Sequence, residues 1–329
     1  MKKHFPTHTP KTNPEYNHTK VTTTDISNPD FKPWITQSHV RRVLLKFKAK
    51  KSPGPDKLKP IIFKYLPPNI LDIISFIYKT CLKLHYTPRQ WKESNVVFIP
   101  KQGKTSYQEA KSFRPISLSN YLLKGLEKLL VEQMDLALED HPIHKNQHGF
   151  QRGLSTETAI SKTVNYIEKH INSGREVLGV FLDIQAAFDT ICPKHIKASL
   201  LKHGADPDVA EFYYNYITHR HLTTTIGGYT HTITVGIGFP QGGVCSAKFW
   251  IIAFNEAIEI INEYGITGQG FADDCGPMIG GDNTHEMYKS MQRMLNKLYH
   301  WGEGKNLKFN PTKTIAVLFS KKHKSKPKY

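Results

Sequence analysis

An α+β fold is the prediction for this chain of 329 residues, and three observations carry it. Apolar residues recur at helical spacing through several long segments. A near-continuous apolar run, Val177 to Leu182, has the length of one strand covered on both faces. Two β-branched runs, Leu222 to Ile226 and His231 to Val235, are joined through Gly227-Gly228 and read as a hairpin.

Residues 1 to about 33 are rich in Thr, Pro, Lys, Asn and His and nearly lack aliphatic side chains, so they are expected to form a disordered polar tail. Packing begins with Val40, Val43, Leu44 and Phe47 at helical spacing behind Thr36, a candidate N-cap. Lys48 to Asp56 is a basic loop whose prolines and glycine forbid helix. Ile70 to Leu84 reads as a buried helix, and Val96 to Ile99 as a strand ended by Pro100. Helical patterning returns from Leu122 to Leu138 and from Ser155 to Asn172, ahead of Gly174. The strand 177–182 then delivers Asp183 at its end. Pro193 to His203 and Pro207 to His219 each open with the proline favoured at the first helical position.

Beyond the hairpin, a glycine-rich turn, Gly236 to Gly243, opens an apolar helix from Ser246 to about Tyr264. Thr267 to Ala272 and Cys275 to Ile279 form the arms of a second hairpin with Asp273-Asp274 at its tip. A helix from Thr284 to about Trp301 and a strand from Ile315 to Phe319 complete a packed part spanning 34–320. Residues 321–329 read as a basic connector, and no internal repeat is present.

This length accommodates one large domain or two modest ones. Lys plus Arg number 45 against 28 Asp plus Glu, a net charge of +17, which suits an extended polyanion as partner. The four cysteines, Cys81, Cys192, Cys245 and Cys275, are scattered without a Cys-x-x-Cys pair, which argues against a disulfide framework or zinc ribbon and fits a reducing compartment. No apolar run approaches the ~20 residues that span a bilayer, and no signal-peptide core follows Met1, so a soluble, intracellular protein without membrane contact is expected. His141, His144 and His148 have a spacing compatible with zinc, but Pro142 breaks the helix that would align them and no cysteine lies nearby.

Two acid clusters carry the chemistry. Phe181-Leu182-Asp183 ends one apolar strand, and Gly270-Phe271-Ala272-Asp273-Asp274 ends another. Alone, Asp-Asp in a turn is usually a solvated cap. Brought together, such carboxylates offer the hard oxygen ligands that a divalent cation prefers.

The motifs around them occur in a specific order. Lys51-Ser52-Pro53-Gly54-Pro55-Asp56 is followed by Trp91 through Pro100-Lys101, Phe113-Arg114-Pro115-Ile116-Ser117-Leu118, Lys124-x-x-Glu127 and Gln147-His148-Gly149-Phe150-Gln151 with Ser155-Thr156. Next come Asp183 to Asp189, Phe239-Pro240-Gln241-Gly242-Gly243 with Ser246, the Asp273-Asp274 pair and Asn310-Pro311-Thr312-Lys313-Thr314. From about Lys48 to Phe319, this series resembles the reverse-transcriptase domain of non-long-terminal-repeat retrotransposons, particularly the jockey-like elements.

The resemblance implies a right-hand polymerase fold with fingers and palm, the palm an antiparallel sheet flanked by helices. It implies RNA-templated DNA synthesis from dNTPs on a DNA primer, with Mg²⁺, or Mn²⁺ in its place, serving a two-metal mechanism. Asp183 and Asp273 take the places of metal ligands, with Asp274 the third acid. Phe188 takes the aromatic position that crowds a ribose 2′-hydroxyl, although a core Phe explains its spacing equally well. Asp189 is read as structural, capping the turn into Pro193.

Arg114 resembles the residue that clamps the triphosphate, and Lys101 is a second candidate in the same region. Gln241, with Gly242 beside it, resembles the residue next to the incoming nucleotide. Lys313 resembles a lysine that protonates the leaving pyrophosphate, with a solvated lysine as the alternative. In relatives a primer-gripping hairpin and a helical thumb follow the Lys313 region, so a chain ending at Tyr329 is expected to lack the thumb. Two other functions stay open at this point: a nucleic-acid-binding remnant without turnover, and an RNA-templated RNA polymerase, which Phe188 disfavours. Oligomeric state is not legible.

Overall fold

The structure, a computed structural model, describes residues 4–5, 28 and 30–321. Most of the tail expected over 1–33, and the connector beyond Lys321, lie outside the described residues. Within that first stretch Phe5 is buried against Val96, Leu222, Ile233 and Val235. Lys32 is also buried, with Nζ 2.5 Å from Asp206 Oδ2 and 2.7 Å from Asp208 Oδ2.

The chain divides into two compact units. One comprises 1–141 and 188–246, the other 142–187 and 247–329. In the first unit, α1 (Gln37–Leu45) starts at Thr36, whose hydroxyl accepts from His39 N at 3.3 Å. It buries Val40, Val43 and Leu44 against α2 (Pro68–Lys83) and α3 (Tyr121–Asp140). The sheet of this unit runs β2-β1-β5-β6, from β1 (Glu93–Pro100), β2 (Phe113–Leu118), β5 (Arg220–Ile226) and β6 (Tyr229–Val235). No strand is expected from sequence over Phe113–Leu118, where Pro115 weakens the strand signal. The strand lies at the sheet edge with Pro115 opposite Phe98, where a missing N–H leaves no ladder partner unsatisfied.

The second unit holds a four-stranded antiparallel sheet in the order β10-β3-β8-β7. Its strands are β3 (Glu176–Phe181), β7 (Thr267–Phe271), β8 (Asp274–Gly281) and β10 (Ile315–Phe319). Strand β3 is buried at every position except Phe181, as its apolar run requires. A short pair, β4 (Ile184–Gln185) with β9 (Lys308–Phe309), lies beyond its end. Helices α4 (Thr156–Asn172) and α10 (Thr284–Gly304) pack on the sheet. Both have defined starts: Ser155 and Thr158 form a reciprocal capping box, and Asn283 Oδ1 accepts from His285 N and Glu286 N.

Between them in sequence, the first unit contributes α5 (Ala187–Thr190), α6 (Pro193–Lys202) and α7 (Pro207–Ile217), the first of these spanning the unit boundary. The apolar helix expected from Ser246 to about Tyr264 is two helices, α8 (Val244–Ala253) and α9 (Asn255–Ile261). The division falls at the buried Asn255. Its Oδ1 accepts from His144 N at 2.6 Å and its Nδ2 donates to Glu259 Oε1 at 2.7 Å. No helix among the described residues is long and apolar enough to cross a membrane.

Candidate active site

Both acid clusters lie in the second unit. Asp183 follows β3, where Leu182 N donates to Cys275 O at 2.9 Å and ties the end of β3 to β8. Strands β7 and β8 close as a hairpin with Phe271 paired to Asp274, so its loop is Ala272-Asp273 alone. Asp274 therefore starts the returning strand and does not sit at the tip as expected. The two-residue loop keeps the strands in register one residue earlier than apolar content suggests.

Burial pushes the Asp273 carboxyl above the usual range, with repulsion from Asp274 and Asp183 adding to it and Lys313 opposing. Asp274 is raised as well, by desolvation and by Asp183. Mutual electrostatic reach thus joins the three acids, although no three His, Cys, Asp or Glu side chains among the described residues close into a ligand cluster. Carboxylate oxygens alone, under mutual repulsion, are a donor set suited to a hard divalent cation.

Asp183 has a basic partner. Lys313 Nζ lies 2.9 Å from Oδ1 and 3.1 Å from Oδ2, and Asn310 Nδ2 donates to Oδ2 at 3.1 Å. Asn310 N also donates to the Asp183 carbonyl at 2.7 Å, while Asn310 Oδ1 accepts from Thr312 N and Oγ1. The Asn310-Pro311 turn thereby fixes both ends of the contact with Asp183. Asn310 stands in the last motif of the sequence series, where it has no role of its own.

The remaining predicted residues lie in the first unit. Gln241 Nε2 sits 3.1 Å from both Asp189 carboxylate oxygens, and Gln241 O accepts from Ser117 N at 2.7 Å. That second bond places the Gln241-Gly242 backbone against β2, the strand bearing Arg114. Gly242 adopts φ +104°, and a Cβ there would stand 3.0 Å from Ser117 O, so both conformation and space call for glycine. Arg114 is exposed. Lys101, at the far end of the β1–β2 connection, adds positive charge felt at Asp189. Phe188 is half-buried with its ring 6.0 Å from that of Phe239, which satisfies the core alternative without removing the other.

Asp189 does not cap the turn into Pro193. Cys192 is the N-cap there, without a side-chain bond, and Asp189 holds Gln241. Burial pushes its carboxyl up to about 6, against Gln241, Arg220 and Lys101. Arg220, fully buried, donates from Nη2 to Ile237 O at 2.5 Å and Gly238 O at 2.9 Å. These are the residues that lead into the Gln241 loop. His148 is not available as a zinc ligand, since Nδ1 bonds Thr158 Oγ1 at 2.7 Å and Nε2 bonds Gln269 Oε1 at 2.9 Å.

The profile of the reverse transcriptase (RNA-dependent DNA polymerase) family matches residues 99–329, more than half of the chain. The chain belongs to that family. It is 26% identical over 303 residues to an RNA-directed DNA polymerase from the mobile element jockey of Drosophila melanogaster, covering 89% of this chain and 32% of the relative. It is 27% identical over 285 residues to a probable RNA-directed DNA polymerase from transposon BS of the same organism, covering 83% and 31%. The chain thus spans about a third of the length of these curated relatives. A solved telomerase from Candida Tropicalis, truncated from its C-terminal domain, superposes with TM-score 0.50 at 13% identity over 79% of this chain and 57% of that one. This likeness supports the fingers-and-palm fold.

In this reverse-transcriptase chain, the Lys124-x-x-Glu127 motif also acquires a physical role. Glu127 is fully buried and its carboxylate accepts from Val244 N at 3.1 Å and Cys245 N at 3.5 Å, capping α8 directly after the Gln241 loop. Desolvation outweighs these bonds and Lys124, pushing Glu127 from 4.5 up to about 7. A carboxyl raised on folding contributes stability that is complete below its unfolded value and lost as pH rises through its folded value. Stability should therefore fall by roughly 3 kcal/mol between pH about 4.5 and about 7 because of this group. Urea midpoints across that range should show the fall in the wild type and a flatter profile in Glu127→Gln; equal slopes would contradict the assignment.

Proposed function

We propose that this chain catalyses RNA-templated DNA synthesis, transferring the nucleotidyl group of a dNTP to the 3′-hydroxyl of a DNA primer. The reading is supported above all by the mutual electrostatic influence of Asp183, Asp273 and Asp274 at the ends of paired strands, with burial and repulsion raising Asp273 and Asp274. Asp183, Asp273 and Asp274 would hold the divalent metal. Mg²⁺, or Mn²⁺ in its place, supplies when bound the charge that activates the attacking hydroxyl and stabilises the leaving pyrophosphate by the two-metal route.

The chain's own residues take the other roles. Arg114 presents a guanidinium fork to the triphosphate, with Lys101 as a second cation. Gln241, held by Asp189, and Gly242, with no side chain to obstruct, face the nucleotide. Phe188 crowds the position of a ribose 2′-hydroxyl. Lys313 carries a proton toward the leaving pyrophosphate once its contact with Asp183 is released.

Extension of an oligo(dT) primer on poly(rA) with dTTP and Mg²⁺ tests the proposal, with Phe188→Ala and rNTPs as further arms. Incorporation of dTTP in preference to UTP, with discrimination reduced by Phe188→Ala, is expected. Retained RNA binding without any incorporation would favour a binding remnant, and equal use of UTP would favour an RNA polymerase.

The net charge of +17 carries a separate expectation for RNA binding. Contact with about six phosphates of single-stranded RNA gives a log–log salt slope of roughly −4. Filter binding from about 50 to about 200 mM salt measures it, and a flat response would contradict phosphate-driven binding.

A further inference from the structure

We propose that Gln147 is a positioning residue for Asp273 and Asp274, acting by clamping the backbone of Ala272; this rests on the reading of those two acids as metal ligands. The loop of the β7–β8 hairpin is only Ala272-Asp273, and Ala272 stands at φ +60°. Asp273 is not among the residues with positive φ. A positive φ at the first loop residue alone is the pattern of a two-residue turn that takes glycine there. An alanine with a Cβ in this region is strained by ~1 kcal/mol or more. Something must hold it.

Gln147 is fully buried and bonds both backbone groups of Ala272. Its Oε1 accepts from Ala272 N at 3.1 Å and from Gly149 N at 2.9 Å, and its Nε2 donates to Ala272 O at 3.2 Å. A neutral primary amide of this length accepts two N–H groups on one atom while donating to a carbonyl from the other. The clamp is itself anchored. Gly270 N donates to Asn146 O and His148 N donates to Gly270 O, both at 2.7 Å, so the 146–148 segment pairs with β7 as a short parallel bridge. Gln151 Nε2 bonds Gln147 O, and both ring nitrogens of His148 are engaged. Gly149 lies so close to Ala272 that a Cβ would collide with its backbone.

Removing the amide would leave Ala272 N and O without these partners inside the protein. The turn would then relax toward negative φ and carry the Asp273 carboxyl off its place. Misplacing a reacting group by about 1 Å can cost ~10²-fold in rate.

The test combines Gln147→Met with Ala272→Gly, since glycine removes the strain that the clamp opposes. In Gln147→Met, hydrogen exchange at the Ala272 amide should accelerate at least ~10-fold, Mn²⁺ affinity by calorimetry should fall by about the same factor, and incorporation should drop by ~10² in kcat with little change in dTTP KM. Ala272→Gly alone should stay near wild type, and the double variant should regain at least ~10-fold of the lost kcat and Mn²⁺ affinity. If Gln147→Met does not fold, Gln147→Glu serves in its place, assayed at a pH where the introduced carboxyl is ionised: it then keeps the acceptor for Ala272 N and Gly149 N, loses the donor to Ala272 O, and should show the same losses, which should shrink at lower pH as the carboxyl regains a donor.

A folded Gln147 variant with unchanged Ala272 exchange and Mn²⁺ affinity would overturn the inference. So would losses that Ala272→Gly does not reverse. Should the wild type incorporate no nucleotide, the polymerase reading fails, while exchange and Mn²⁺ binding still decide the clamp.

Discussion

Asp273→Asn is expected to abolish nucleotide incorporation and, in the same protein, to raise the melting temperature measured without metal. The first effect follows from losing a metal-holding oxygen and a full charge, a change worth roughly 10³-fold or more in rate. The second follows from the direction in which Asp273 is shifted. Burial and the charges of Asp274 and Asp183 raise its carboxyl, so ionisation near neutral pH costs folding free energy that a neutral amide does not incur. A carboxyl raised in this way contributes stability at low pH that is lost as pH rises, and the gain from Asp273→Asn should therefore grow from acid toward neutral pH. Adding Mg²⁺ should raise the melting temperature of the wild type and leave that of the variant nearly unchanged. Thermal unfolding at several pH values, with and without Mg²⁺, checks all three statements. A variant destabilised at neutral pH would mean that Asp273 has a mainly structural role.

Arg220→Ala should have the largest effect on stability. The guanidinium is fully buried, donates to Ile237 O and Gly238 O, and also donates from Nε to Ile217 O at 3.3 Å. Removing it leaves those carbonyls without their donor and Asp189 without the opposing charge that the pair shares. Breaking a buried charged arrangement by deleting one partner costs ~3–5 kcal/mol. Because Ile237 and Gly238 lead into Phe239-Pro240-Gln241, the loss should also loosen Gln241. Urea unfolding gives the first quantity and the dTTP KM the second. Arg220→Lys should recover little, since one ammonium cannot reproduce donors fixed in a planar fork. A change below about 1 kcal/mol for Arg220→Ala would refute the account of this network.

Most of the fold was legible because its elements announce themselves locally. The apolar run before Asp183 and the β-branched arms joined by Gly227-Gly228 are present as strands, and the hairpin around Asp273 differs from expectation by one residue of register. Helix α4 begins where Ser155 and Thr156 suggested it would. What escaped were features set by distant partners. Strand β2 depends on being an edge, which Arg114-Pro115 does not disclose. The partner of Asn255 is His144 N, 111 residues away, and the role of Asp189 depends on Gln241, 52 residues on.

The acids of the candidate site were legible as a motif, but their supports were not. Gln147 acts on backbone atoms 125 residues away, and Asn310 reaches Asp183 across 127 residues. A bond from a side chain to a distant backbone leaves no periodicity and no spacing in the sequence. Glu127 stood in a recognised motif, yet only its burial beneath the first turn of α8 explains why an acid is there.

Copying a heteropolymeric RNA with an annealed DNA primer, followed by sequencing of the product, reads out RNA-templated DNA synthesis itself. With all four dNTPs and Mg²⁺, the wild type should extend the primer into DNA complementary to the template, and Asp273→Asn, prepared alongside, should not. Primer and template that are bound by the wild type but left unextended in both Mg²⁺ and Mn²⁺ would contradict polymerase activity.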